Sequence, residues 1–296
     1  MIRFAFEFDI STKSNMRLRW YVKKVARFVV VYGNFVANKI FGIPNLDALR
    51  ILTYHRFGPD PRDPFCVSME DFDAQMKLLS AEQRAISLSQ LELYLAGEAN
   101  LPEYACLVTI DDGMLSTLEV ALPILQRYGI PAVAFVSSNL IGLDGQGLPE
   151  RYLTGKELLS LSRNPLVEIG SHAHNHVSMG QLPLPEMAEE ARKSKSILEA
   201  VTKRPVNTFA YPFGMQNDHN RDTDNALASA GYKITFNSMH GAILTRDDCQ
   251  SLPRVKVEGG DSLSMFRHIS RGAMDIWRVV DDRLFRAQRV RQEITG

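Results

Sequence analysis

Asp111 and Asp112 end the short apolar run Val108-Thr109-Ile110 and are followed by Gly113. A strand sends successive side chains to opposite faces, so two adjacent carboxylates share a site only where the strand ends and the backbone turns, which Gly113 permits. Two ionised carboxylates held close together repel, and either a cation or a shared proton resolves the repulsion. A second group, Gly170-Ser171-His172-Ala173-His174-Asn175-His176, follows the apolar run Leu166 to Ile169 and holds three of the chain's seven histidines. Imidazole nitrogens with a carboxylate oxygen make a three-ligand set that leaves a coordination position open, as in catalytic rather than structural zinc sites. His172 and His176, four apart, would face one side of a helical turn. A His-rich surface loop, or a helix start capped by Ser171 or Asn175, explains the cluster alone, but a strand-end Asp pair beside it is much rarer than either feature separately.

The elements that must position these groups are legible as an alternation. After the break at Gly42-Ile43-Pro44, short apolar runs occur at Arg50 to Tyr54, Arg84 to Leu88, Ala105 to Ile110, Ala132 to Ser137, Val167 to Gly170, Thr208 to Tyr211, Ile234 to Asn237 and Val255 to Val257. Helical stretches lie between or after them at Met69 to Ser80, Ser89 to Leu95, Ser116 to Tyr128, Gly155 to Ser162, Pro185 to Thr202, Thr223 to Ala230 and Leu263 to Arg271. Such alternation favours a parallel sheet closed, or nearly closed, into a barrel, with the site at the carboxyl ends of the strands. His55, Asp111 with Asp112, His172 and Phe213 all sit just past a run. No internal repeat or low-complexity segment appears. The expected division is a basic N-terminal extension over 1–45, a barrel over 46–272 and an amphipathic C-terminal helix over 273–296, the last read from Asp275 to Glu293 and covering the barrel or the N-terminal segment.

At 296 residues and 45% hydrophobic content the chain has ample material for one large α/β core. Lys plus Arg equals Asp plus Glu at 34 each, so no global field points to nucleic acid as a partner. Cys66, Cys106 and Cys249 are few, widely spaced and without a CxxC pair, which argues against a disulfide framework or a cysteine zinc site and fits a reducing compartment. Met1 to Ser14 carries Arg3, Glu7, Asp9 and Lys13 and lacks a secretory pattern, so the expectation is a cytoplasmic protein or one peripheral on the cytoplasmic membrane face. Arg17, Arg19, Lys23, Lys24 and Arg27 are interleaved with apolar and aromatic residues up to Phe41. That segment is too short in unbroken apolar length to span a bilayer. It reads either as an interfacial helix on an anionic leaflet or as a helix packed on the domain with its basic face in water.

The Thr109-Ile110-Asp111-Asp112-Gly113 and His172-x-x-x-His176 segments resemble the metal-dependent polysaccharide deacetylases, the fourth carbohydrate esterase family. The likeness runs from roughly Ile51 to Ile269 and includes Ala121-Leu122-Pro123-Ile124-Leu125, Tyr128-Gly129-Ile130-Pro131-Ala132, Phe209-Ala210-Tyr211-Pro212-Phe213-Gly214 and Ser251-Leu252-Pro253-Arg254-Val255. Ile51-Leu52-Thr53-Tyr54-His55 looks like the start of the permuted branch acting on poly-N-acetylglucosamine, in which the catalytic histidine precedes the Asp pair. The resemblance implies a distorted (β/α)7-type barrel, an N-acetylated glycan substrate and a divalent ion, zinc or another transition metal, bound by Asp112, His172 and His176. It makes Asp111 the general base, His55 the general acid and the backbone N–H of Phe213 an oxyanion donor. Relatives often have Arg where Ala210 stands, so another group must orient the base, and Arg254 is the candidate. Ala173 replaces the usual Ser or Thr. His174 is expected as a substrate contact or a support behind the ligands, while His219, His240 and His268 show no such context. Two other functions share these features: a metal amidohydrolase acting on small non-glycan amides, and a catalytically silent carbohydrate-binding protein.

Overall fold

The computed structural model of the protein describes residues 12–41, 48–60, 62–145, 147–244 and 249–281, with side chains from residue 20 onward except that of Asn38. Seven short strands, β1 (Arg50–Tyr54), β4 (Cys106–Ile110), β5 (Ala132–Val136), β6 (Val167–Ser171), β7 (Thr208–Ala210), β8 (Ile234–Phe236) and β9 (Val255–Lys256), form one parallel sheet in the order β8-β7-β6-β5-β4-β1-β9. A separate parallel pair, β2 (Arg56–Phe57) and β3 (Cys66–Val67), lies beyond β1. Most strand residues are apolar and buried because both faces are covered, Glu168 of β6 being exposed. Leu52, Val108, Ile110, Ala134 and Ile169 pack with Phe72, Ile124, Leu161 and Leu198 of the helices, whereas Ile51, Leu107, Val133 and Phe135 form a second cluster on the opposite face. One segment joins the two edges of this incomplete barrel. Thr235 of β8 donates to the Cys249 carbonyl and accepts from the Leu252 amide, and after Pro253 the chain pairs with β1 as β9.

The helices are α1 (Thr12–Phe41), α2 (Met69–Ala81), α3 (Leu88–Leu95), α4 (Leu122–Tyr128), α5 (Gly155–Ser162), α6 (Leu184–Thr202), α7 (Arg221–Ser229) and α8 (Leu263–Ile269). The expected strand at Arg84 to Leu88 is not one. It makes a single parallel bridge, Ala85 to Cys106, and a capping box between Ser87 and Gln90 starts α3 at Leu88. The expected helix from Ser116 to Tyr128 is a π-helical turn, Thr117–Ala121, leading into α4. Pro123 has no N–H to give the preceding turn, which accounts for the irregular hydrogen bonding there. At the C-terminus a 3-10 turn, Asp275–Trp277, opens a helical stretch described to Asp281; the remainder of the expected helix to Glu293 lies outside the described residues. This end is tied down by Arg50, bonded to Asp275, and by His240, whose Nδ1 lies 2.9 Å from Asp281.

The α1 helix packs on α8. Tyr32 Oη is 3.0 Å from Ser264 Oγ, and the rings of Tyr32 and Phe35 rest against His268. As one sequence reading has it, the helix packs on the domain, but among the described side chains Lys24 and Arg27 turn to the domain and not into water. Lys23 lies 2.7 Å from Glu258, Lys24 lies 2.9 Å from Asp261, and buried Arg27 lies 2.6 Å from Asp261. Burial alone would raise the Glu258 carboxyl, but the charges of Arg27, Lys23 and Lys24 hold it at about 2.

Candidate active site

Alternation along β1 and β4 explains which side chains reach the site. Thr53 and His55 continue the face of Ile51, and Thr109 and Asp111 continue the face of Leu107. Asp112 would by the same rule point to the helical layer. Instead Asp112 and Gly113 adopt left-handed backbone conformations with φ of 73° and 75°, and the carboxylate turns back toward the histidines. A side chain at Gly113 would meet that unfavourable φ and also stand 3.0 Å from Val136 Cγ1.

The histidine segment is not a helical turn, contrary to the i, i+4 reading. Ala173 and His176 have φ of 62° and 54°, so the chain makes tight left-handed bends that bring His176 back beside His172. Glu190 of α6 holds this loop through the amides of His174 and Asn175, 2.8 and 2.9 Å away, and through the Asn175 side chain. Asp112 Oδ1 lies 3.6 Å from His172 Nε2 and 3.4 Å from His176 Nε2. Nδ1 of His172 is 2.7 Å from the Ala210 carbonyl, which can only accept, so Nδ1 carries the proton and Nε2 presents a lone pair. Ligand atoms of Asp112, His172 and His176 all lie within 4.8 Å of one another. One carboxylate oxygen and two imidazole nitrogens, one of them with its tautomer fixed from behind, fit a zinc-like divalent ion. His174 faces away, its Nδ1 2.7 Å from Ser138 Oγ, and supports the loop rather than lining the cleft.

Asp111 is buried and gripped by Arg254. Nη1 and Nη2 of the guanidinium each lie 2.7 Å from one carboxylate oxygen, while Nε donates to the Asn237 carbonyl at 2.7 Å. Burial is the largest influence and would raise the Asp111 carboxyl, yet the charge and hydrogen bonds of Arg254, with His172 and His55 beside them, together outweigh it and hold the group below the ordinary carboxylate range.

His55, Asp111, Asp112, His172, His176 and Phe213 line one cleft of about 420 Å³, so every expected site residue except the supporting Arg254 meets there. The His55 ring lies edge-on to Phe65, and its Nδ1 is buried with no hydrogen-bond partner among the described residues. Burial pushes its pKa down to about 4, against the opposing pull of Asp112 and Asp111. Phe213, at φ 61°, is more than half exposed, its ring 5.0 Å from that of His176; its amide has no acceptor among the described residues. Lys256 also lines the cleft, its Nζ 4.5 Å from the centre of the Phe65 ring, and burial lowers its pKa to about 8. Neither Glu190 nor Lys256 stands out in the sequence. Lys256 had one available signal, its position two residues past Arg254 on the same strand-end run. His219, bonded to Ser251, and His240, bonded to Asp281, have structural partners outside the cleft.

Comparison with known proteins bears on the family and the fold. Residues 98–235 match the polysaccharide deacetylase family. The chain is 24% identical over 201 residues to a Staphylococcus aureus poly-beta-1,6-N-acetyl-D-glucosamine N-deacetylase, spanning 65% of this chain and 68% of that one. Among solved structures, IcaB from Ammonifex degensii superposes with a TM-score of 0.67 at 25% identity, covering 77% of this chain and 98% of that one. The Streptococcus pyogenes deacetylase PplD, solved with acetate, superposes at 0.65 with 23% identity over 75% of this chain and 98% of that one, a likeness of fold.

Proposed function

Because the chain carries a polysaccharide deacetylase domain, a hydrolase of the amide bonds of N-acetylated sugars, we propose that it removes acetyl groups from hexosamine units of poly-N-acetylglucosamine or a similar glycan. The observation that carries the reading is the two-point Arg254–Asp111 pair standing beside the Asp112, His172 and His176 cluster. It separates one fixed carboxylate for proton transfer from a second one available for a metal. The cleft is open and rimmed by exposed Phe65, Leu148, Phe213 and Met215, which suits an extended chain of sugar rings better than a small enclosed amide.

In this reading Asp112, His172 and His176 hold a divalent ion, which when bound supplies Lewis acidity and makes a water easier to deprotonate. Asp111 takes the proton of the attacking water, its orientation fixed by Arg254. The water oxygen bonds to the acetyl carbon, and the Phe213 amide donates to the oxygen that gains charge. The carbon–nitrogen bond then breaks, the nitrogen takes a proton and leaves as the sugar amine, and acetate is the second product.

Two groups compete to supply that last proton. His55 is the donor implied by family resemblance, but its pKa near 4 and unpartnered Nδ1 favour a neutral ring at the start of the reaction. Lys256, in the same cleft with a pKa near 8, enters protonated at neutral pH. The test of the overall reading is acetate release from poly-N-acetylglucosamine, measured before chelation, after chelation and after zinc is restored. Release that is unaffected by chelation contradicts the metal; no release from any N-acetylated glycan contradicts the substrate class.

A further inference from the structure

The α1 helix turns Lys24 and Arg27 toward the domain and a row of apolar side chains outward. Lys24, Arg27 and Val31 lie on the face against the barrel, Arg27 and Val31 being almost wholly buried. On the outer side Val22, Val25, Val29, Val36 and Ile40 form one stripe at three- and four-residue spacing, each between 49% and 70% exposed. Gly33 lies in the middle of the stripe with open space around its Cα. Tyr21, Phe28 and Phe35 broaden the stripe along one edge. At 1.5 Å per residue the surface runs for about 30 Å.

We infer that this face rests in the interfacial layer of an anionic bilayer, with α1 lying in the membrane plane and the barrel held on the surface. Charge selects the occupant. Over Thr12–Phe41 the helix has seven Lys and Arg residues and no Asp or Glu, and Glu258 and Asp261 answer only part of that charge. A two-fold pairing with a second copy would set two cationic helices side by side. The residues flanking the stripe, among them Tyr21, Ala26, Phe28 and Phe35, offer none of the acid–base pairs that fix a partner helix. The chain's own segment 282–296 sets Arg283, Arg286, Arg289 and Arg291 against Asp282 and Glu293 and so remains net basic, likewise of the wrong sign. An anionic lipid surface complements both the apolar face and the net charge. No described helix is long and apolar enough to cross a membrane, so α1 lies on the bilayer and does not span it.

The placement bears on the cleft. Arg27 Nη2 donates to the Lys256 carbonyl at 3.2 Å, and Glu258 and Asp261 follow directly after β9, so the first half of α1 sits at the carboxyl end of the sheet beside the catalytic groups. Lipid contact through α1 therefore holds the cleft at the membrane surface, where a growing or lipid-linked glycan is presented. The lipid contact itself does not depend on the deacetylase reading.

The test is co-sedimentation of the full chain with phosphatidylcholine vesicles, with and without phosphatidylglycerol, for the wild type and Val25→Glu/Val29→Glu. The expected result is binding that is stronger with phosphatidylglycerol, persists in high salt, and falls about tenfold or more in the double variant. Activity on a soluble oligosaccharide and the circular dichroism spectrum are expected to stay unchanged. The inference is overturned by no binding of the wild type to either vesicle, by binding that salt abolishes and the double variant retains, or by a wild-type dimer in sedimentation that the double variant converts to monomer. Binding that appears only after residues 1–11 are removed also overturns it, because that segment then covers the stripe.

Discussion

Arg254 reaches Asp111 from just before β9 and meets both carboxylate oxygens at 2.7 Å, across 143 positions of sequence. The pair does two opposed things. It fixes the direction of the carboxylate, and it lowers its basicity. On the other side of the site the Ala210 carbonyl sets the tautomer of His172.

Arg254→Lys keeps the charge and loses the two-point geometry. Turnover is expected to fall on the order of 10² with little change in KM, since an orienting contact to the base is removed. Arg254→Gln leaves Asp111 buried and unpaired, and a loss of about 3 to 5 kcal/mol in denaturant unfolding is expected. Lysine activity equal to that of wild type removes the orienting role.

The proton donor can be settled by pH. If Lys256 donates, the rate falls as pH rises through about 8, because the ammonium is lost there, and Lys256→Met abolishes that limb. If His55 donates, the rate falls as pH rises through about 4, His55→Ala carries the larger loss and Lys256→Met leaves that fall in place. For either donor the loss is expected to shrink on an activated acetyl ester, whose leaving group needs little protonation.

The clamp of α1 gives a stability prediction with a definite sign. Glu258 is held at about 2 in the folded protein against an ordinary 4.5, so the stabilisation it provides is present above pH 4.5 and is lost as pH falls toward 2. Melting temperatures across that interval are expected to drop more steeply for the wild type than for Glu258→Gln. Parallel slopes for the two proteins would mean that Glu258 does not supply the linkage.

Much of this arrangement is legible in the sequence. Strands covered on both faces appear as short apolar runs, so the parallel alternation survived in the sequence, and residue type alone marked Asp111, Asp112 and the histidines. Arg254 was reachable by asking what replaces a missing guanidinium at Ala210. Three features were not readable, for physical reasons. The spacing of His172 and His176 fits a helical turn, but left-handed bends at Ala173 and His176, secured by Glu190, decide the loop. At Ser87 a capping box outweighs the apolar run and converts a strand into a helix start. The basic residues of α1 find acids more than 200 positions away at Glu258 and Asp261, and no local pattern could show which face turns inward.

The central claim is a division of labour between adjacent carboxylates, and paired substitutions test it most directly. Purified Asp111→Asn and Asp112→Asn proteins are loaded with zinc, dialysed, analysed for bound metal and assayed for acetate release from poly-N-acetylglucosamine. Asp111→Asn is expected to retain metal at the wild-type ratio and lose about 10² to 10⁴ in turnover, while Asp112→Asn loses the metal and the activity together. Metal lost from Asp111→Asn and kept by Asp112→Asn, or near wild-type acetate release from Asp111→Asn, would contradict the assignment.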